Sequence, residues 1–368
     1  MYDVLIIGAG LAGLQTARLL ALRGLRVALA DRKASVAETI HTTGIFVRKT
    51  WEDFPLPAEQ LGKPIREVVL YSPARRPLAL TAPQDEFRVG RMGWIYLYLL
   101  ESCSRAGVTW LPGTRLLRVE GTDAIVCRGG HEERIRARFI VGADGARSRV
   151  ARELGLERNR EMLVGIEDVL PGDKPGMHCF LDPRLAPGYI AWVVDDGEEK
   201  HVGVAGYRDR FDPADSLRRF RESVPHLAGG RPVERRGGLI PVGGILRRIA
   251  NRRGLLVGDA AGAVSPLTAG GLDAAMRLST FAAEVIGTYF ESGDERVLAA
   301  YDGGRFRARF MARRWMRKAI RLVDHPLLAE LACAMLRSTP LRTLAAHVFF
   351  GRGSFPDVPR GALSPAAP

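Results

Sequence analysis

The chain predicts an α/β fold: a parallel sheet of the dinucleotide-binding kind, an antiparallel sheet inserted into it, and a helical arm at the end. Three observations carry this reading. The apolar run Tyr2-Asp3-Val4-Leu5-Ile6-Ile7 leads into Gly8-Ala9-Gly10-Leu11-Ala12-Gly13, and Asp31 closes a second apolar run, Val27-Ala28-Leu29-Ala30. Far along the chain, Leu255-Leu256-Val257-Gly258-Asp259 precedes a loop with Pro266 and Gly270-Gly271, which opens an alanine-rich stretch. Between them, from about Met162 to Gly244, short β-forming segments alternate with turn residues.

In the opening unit the first run is a buried strand. Leu14, Ala17, Leu19, Leu20 and Leu22 suit a helix packed on a sheet, and Gly24 ends that helix. Gly8 permits a tight turn, Gly10 lets a pyrophosphate approach the backbone, and Gly13 lets helix and strand lie close. The pyrophosphate would face the unpaired N–H groups at the start of the helix, around Leu11 and Ala12. Asp31, followed by Arg32, sits where a carboxylate accepts hydrogen bonds from an adenosine ribose.

After Asp31 the chain passes through Glu38-Thr39-Ile40-His41-Thr42-Thr43-Gly44-Ile45 into a segment with Pro55 and Pro57, which reads as a crossing loop. Alternation over Arg66 to Ser72 and Leu78 to Thr81, followed by Glu86 to Gly90, predicts antiparallel strands of a second sheet. Arg91 to Ala106 reads as a helix ended by Gly107. Short strands then lead to Arg134–Val141 and to Ala143-Asp144-Gly145.

In the β-rich region the clearest strands are Cys179 to Leu181, Tyr189 to Val194 and His201 to Tyr207, with Asp196-Gly197 turning between the last two. A helix is expected around Ala214 to Ser223, and Gly237 to Pro241 closes the region. The segment Gly254 to Ala275 returns to the first sheet. There Asp259 is placed to hydrogen-bond a polyol, and the helix beginning near Gly271 points its positive end at whatever the loop holds.

Composition sets outer bounds. The 368 residues, 46% hydrophobic and 26% charged, suit a two-domain globular protein. The net charge of +13 comes almost wholly from arginine, since only six lysines are present, and it is spread along the chain. Without any nucleic-acid signature it argues for no nucleic-acid partner. Cys103, Cys127, Cys179 and Cys333 show no metal-ligand spacing and read as reduced cytosolic thiols, so no metal is expected. No leader-like n-region and no run long enough to cross a bilayer are seen, giving an expected cytoplasmic location.

The early glycine loop with Asp31, the central Ala143-Asp144-Gly145 and the late Gly258-Asp259-Ala260-Ala261 with Pro266 and Gly270-Gly271 together resemble the FAD-dependent oxidoreductases of the aromatic-hydroxylase fold group. Within that group, Gly188-Tyr189-Ile190-Ala191-Trp192 followed by Val202-Gly203-Val204 resembles the geranylgeranyl reductase family, whose matching strand carries Tyr-x-Trp-x-Phe-Pro beside an isoprenoid cavity. Here Val193-Val194-Asp195 replaces the Phe-Pro, and His41-Thr42-Thr43 stands where that family often has a cysteine. The resemblance implies a discontinuous, Rossmann-like FAD-binding domain over 1–64, 91–160 and 245–300. It also implies a substrate domain over 65–90 and 161–244 and a C-terminal helical arm over 301–368. Gly8, Gly10, Leu11, Ala12, Gly13, Asp31 and Arg32 would hold the ADP half of FAD, with Asp259 at the ribityl chain beside Gly258. Pro266, Gly270, Gly271 and Leu272 would border the isoalloxazine. Arg91 opens the helix that in the family begins Arg-x-x-Phe-Asp, near the pyrophosphate or ribityl, although here Ile95 replaces the aspartate. Asp144 and Gly145 match an Asp-Gly element that is either structural or helps to bind a pyridine nucleotide.

In this group the cofactor carries the reaction and the protein positions it. The expected reaction is hydride transfer from reduced flavin to a C=C bond of a prenyl or other lipophilic polyene, with His41, Tyr189 and His178 as candidates for lining the site and supplying a proton. NAD(P)H, binding transiently, or a ferredoxin-type protein would deliver electrons. Two alternatives stay open: a flavin monooxygenase hydroxylating a small aromatic or polyketide with NAD(P)H and O2, and a flavoprotein acting as a binding partner without turnover. From Gly304 to Arg321 the arm carries Arg305, Arg307, Arg309, Arg313, Arg314, Arg317, Lys318 and Arg321 without an acid, interleaved with Phe306, Phe310, Trp315 and Met316. Such a helix suits peripheral contact with the inner face of a membrane, or packing on the FAD domain with a solvated arginine face.

Overall fold

The computed structural model describes residues 1–307 and 310–351. Its first sheet runs in the order Ala250–Asn251, Gly254–Leu256, His131–Gly142, Tyr2–Ile7, Val27–Ala30, Thr109–Leu111. All but the Ala250–Asn251 edge are parallel. The two long apolar runs seen in the sequence lie side by side through His131–Gly142, because Val4, Leu5 and Ile6 are fully buried between helices on both faces. The first half of His131–Gly142 leaves the parallel sheet and pairs with the hairpin Thr114–Glu120/Asp123–Arg128.

The second sheet has seven strands, ordered Glu234–Pro241, Met162–Pro171, Glu199–Gly206, Ala191–Asp195, Gly176–Phe180, Glu67–Tyr71, Pro77–Thr81. Its neighbours are antiparallel except for Gly176–Phe180 beside Glu67–Tyr71. Alternation gives it two faces. Phe180, Val193, Val202 and Val204 pack under Leu217 and Phe220 of the helix Pro213–Ser223. Met177, Cys179 and Val194 turn to the other side, where Ala345 and Phe349 of the arm cover them.

Two expectations need correction. The strand expected at Glu86 to Gly90 is Phe87–Val89, and it pairs with Ile45–Val47 in a separate ribbon outside the second sheet. The supposed crossing loop holds that strand and a short helix, Arg48–Asp53. The helix is pinned by the buried Arg277, whose guanidinium donates to Asp53 at 2.7 Å and to Asp273 at 3.0 Å. A polar anchor of this kind leaves no apolar period for a sequence reading to find.

The arm is broken into Gly303–Arg307, Met311–Leu322, Pro326–Met335 and Thr339–Phe350. Arg309 and the tail Ala362 to Pro368 lie outside the described residues. Among the described residues no helix is long and apolar enough to cross a membrane.

Candidate active site

A chamber of about 970 Å³ lies between the two sheets and runs out under the arm. One end is the glycine loop. A Cβ on Gly8 would run into the Ala143 carbonyl and one on Gly13 into the Gly8 carbonyl, whereas nothing lies within 4 Å of the Cβ position of Gly10. Gly8 and Gly13 are therefore packing glycines, and Gly10 opens onto the chamber beside Leu11 and Ala12. The helix Leu11–Leu22 starts there, so its first amides point at the space a pyrophosphate would fill. The carboxylate of Asp31 accepts from the Ala9 amide at 2.7 Å and the Lys33 amide at 2.9 Å. It braces the loop, is buried, and does not itself line the chamber. Arg32 is exposed and does not line the chamber.

The opposite wall of this end is the late loop. Gly258, Asp259, Gly270, Gly271 and Leu272 all line it, whereas Pro266 packs against Gly244 behind it. Among the described residues no donor reaches the Asp259 carboxylate, and burial pushes its pKa up to about 6. A half-buried acid without a donor on the chamber wall fits the hydroxyls of a ribityl chain, which would supply the missing donors. The same loop is held by Tyr189, which sits in the turn leading into the strand Ala191–Asp195 and whose hydroxyl donates to the Thr268 carbonyl at 2.7 Å. From the arm, Arg313 donates to Ser265 Oγ at 3.1 Å, with no acid partner among the described residues.

The other end is apolar. Met177, Cys179, Trp192 and Val194 form its floor, and Leu336, Leu344 and Phe349 its roof. Between the two ends lies a polar inlay of His41, Thr43, Glu167 and Arg236. His41 bonds the Gly237 carbonyl through Nδ1 at 2.7 Å. Thr43 donates to Glu167 Oε2 at 2.6 Å, and Glu167 Oε1 lies 3.4 Å from Nδ1 of His201, which is fully buried. His201 Nε2 lies 3.5 Å from Glu199. Burial works against the imidazolium, but Glu167 and Glu199 outweigh it and lift the His201 pKa to about 9. Burial likewise opposes ionisation of Glu167, yet His201 and Thr43 hold it below the usual carboxylate range.

Several sequence-named residues stand elsewhere. His178 faces away from the chamber, because its neighbours Met177 and Cys179 face into it; its ring contacts the Tyr71 hydroxyl at 3.3 Å. Arg91 is drawn off by carboxylates of the second sheet, bonding Asp196 and, at 3.0 Å, Glu198. Asp144 accepts from Ser148 and from the Arg149 and Val150 amides, and so caps the helix Arg149–Glu153. Glu167 and His201 were not singled out from the sequence. Their signal was an ionisable residue on the inward parity of an otherwise apolar strand, which is costly without a partner.

A glycine-loop cradle, an acid on the chamber wall and a second helix start across one chamber fit a flavin-dependent oxidoreductase. The FAD binding domain family matches residues 97–315, and the pyridine nucleotide-disulphide oxidoreductase family matches residues 2–169. The chain is 30% identical over 323 residues to digeranylgeranylglycerophospholipid reductase 2 of Methanothermobacter thermautotrophicus, covering 82% of each. It is 27% identical over 337 residues to the digeranylgeranylglycerophospholipid reductase of Methanocaldococcus jannaschii, covering 86% of this chain and 83% of that one. In fold it resembles a geranylgeranyl bacteriochlorophyll reductase-like protein from Thermoplasma acidophilum, with a TM-score of 0.83 and 20% identity over 97% of both chains. The chain belongs to the FAD-binding oxidoreductases of the geranylgeranyl reductase family.

Proposed function

We propose that the protein reduces C=C bonds in a prenyl chain or another lipophilic polyene, within the FAD-dependent oxidoreductase class to which it belongs. The carrying observation is the continuity of the chamber, which passes from the cofactor cradle directly into an apolar space between sheet and arm. Bound there, reduced FAD supplies a hydride. The chain's own residues do the rest. Gly10, Leu11 and Ala12 receive the pyrophosphate, Asp259 the ribityl hydroxyls, and Gly270 to Leu272 border the ring. Tyr189 fixes the loop through Thr268. Trp192, Val194 and Leu344 receive an apolar chain and exclude water from it. The names of the curated relatives support the substrate class.

Electrons would come from transiently bound NAD(P)H or a ferredoxin-type protein. Access from a membrane surface fits the arm: Leu327, Leu328, Leu331 and Met335 on one helix are 73%, 50%, 60% and 54% exposed. Met335 also lines the chamber, so this apolar surface reaches its edge, with Arg314 and Arg321 on the preceding helix.

The test is anaerobic reduction of the purified yellow protein, followed by addition of prenyl alcohols, prenyl phosphates or prenylated lipids. Re-oxidation with formation of the saturated product is expected. Re-oxidation by none of them, or substrate-stimulated oxygen uptake with small aromatics instead, would overturn the reading.

A further inference from the structure

We propose that Glu167 is the acid that completes alkene reduction, charged with its proton by the buried imidazolium of His201. This rests on the reductive reading above. With the flavin's hydride placed on one alkene carbon, the Nδ1–H bond of His201 breaks toward Glu167 Oε1, and the π electron pair at the other carbon takes that proton from the Glu167 carboxyl, forming a C–H bond and leaving the carboxylate it started as. The neutral imidazole left behind keeps its Nε2–H toward Glu199, and after product release solvent in the chamber returns a proton to Nδ1 through Glu167. One hydride and one proton enter the product, and the residues return to their starting state.

Three observations converge on this chain. Glu167 lines the chamber at its polar inlay, between the cradle and the apolar end. Its second oxygen is fixed by Thr43 at 2.6 Å, which aims the carboxyl. Behind it the groups form a line from the chamber toward solvent: Glu167, then fully buried His201 at 3.4 Å, then Glu199 at 3.5 Å with its side chain 33% exposed. The Nε2 atom of His201 faces Glu199, whose carboxylate stabilises the imidazolium from the far side. The rivals lack such a line. His41 is exposed and its Nδ1 bonds a backbone carbonyl, that of Gly237, and the Tyr189 hydroxyl donates to another, that of Thr268, so neither contact can supply a proton.

The charged groups that face His201 are Glu167 on Met162–Pro171, Arg236 on Glu234–Pro241 and Glu199 on its own strand. Arg91 reaches Glu199 at 3.5 Å from outside. With two carboxylates against one guanidinium, the proton is retained on His201 to about pH 9. The relay is therefore loaded throughout the neutral range.

The experiment has two arms. In the first, histidine-labelled flavin-free protein is titrated by NMR, with H201Q identifying the resonance. His201 is expected to titrate near pH 9 and to fall by a unit or more in E167Q. A wild-type midpoint below 7 would overturn the relay. In the second, dithionite-reduced holoenzyme is mixed anaerobically with a prenyl substrate that re-oxidises the wild type. E167Q should slow that step about 100-fold, a typical loss for a general acid. Its flavin spectrum and reduction by dithionite should stay unchanged, and E167D should recover part of the rate. H201Q should lose the alkaline limb of the pH profile, which a purely structural role would leave in place. Re-oxidation of E167Q within threefold of wild type, or an unshifted limb in H201Q, would overturn the proposal while leaving the reductive reading intact. If no prenyl substrate re-oxidises the wild type, the reductive reading fails first, and the assignment of Glu167 as its acid fails with it.

Discussion

The indole of Trp192 occupies the space over Gly203, its partner across two strands of the second sheet, so that a side chain there would collide with the ring. Trp192 is a chamber wall, which makes Gly203 the residue that sets how far the wall stands back. Gly203→Ala is expected to push the indole into the chamber and to destabilise the protein by about 1–3 kcal/mol, as overpacking does. Denaturant unfolding gives the stability. Turnover of short against long prenyl substrates gives the lost space, and equal losses for both would count against the chamber as the chain's seat.

Two glycines of the loop should separate packing from binding. Gly10→Ala has room for its Cβ, so fold and melting temperature should hold while FAD affinity drops, because the methyl stands where the pyrophosphate approaches. Gly13→Ala presses on the Gly8 carbonyl and should lower both. Flavin absorbance after gel filtration, beside thermal melts of the flavin-free proteins, distinguishes the two.

Asp259 makes a pH-dependent prediction. Its folded pKa of about 6 lies above that of a free carboxyl, so the ionised form is the penalised one. Stability from this group is full below about pH 4 and declines as pH rises through 6. Asp259→Asn should therefore raise the melting temperature of the flavin-free protein at pH 7.5 and leave it nearly unchanged at pH 4. The same substitution should weaken FAD binding, since the ribityl acceptor is gone.

The exposed leucines offer a check on access from a membrane. Leu328→Glu with Leu331→Glu should abolish co-sedimentation with anionic phosphatidylglycerol vesicles while the absorption spectrum of bound FAD is unchanged. High salt should weaken the wild-type interaction, because the arginines of Met311–Leu322 contribute by charge. Undiminished sedimentation of the double variant would remove this surface from consideration.

Legibility followed the kind of interaction. The parallel sheet was readable because strands buried on both faces need continuous apolar runs, as at Leu5 and Leu255, and because glycines with one steric duty each punctuate them. The ribbon Ile45–Val47/Phe87–Val89 was not, since two three-residue strands carry no period. Arg91 was misplaced for a related reason. Its position at the head of a helix is local and legible, but its partners Asp196 and Glu198 arrive from a turn about a hundred residues later. His178 illustrates the one-residue risk of strands, in which a shift of one position exchanges the two faces. Glu167 and His201 escaped because only the register of Met162–Pro171 against Glu199–Gly206 brings them together.

The cradle is drawn from Gly10–Ala12 and from Gly258–Leu272, segments separated by almost the whole inserted sheet. A ligand that touches both acts as a rivet between distant stretches of one chain. The shelf life of the protein should then track the vitamin supply: FAD at a hundred times its dissociation constant adds about 2.7 kcal/mol to the folded state. Riboflavin-starved cells would accordingly lose the protein to proteolysis before they lose its message.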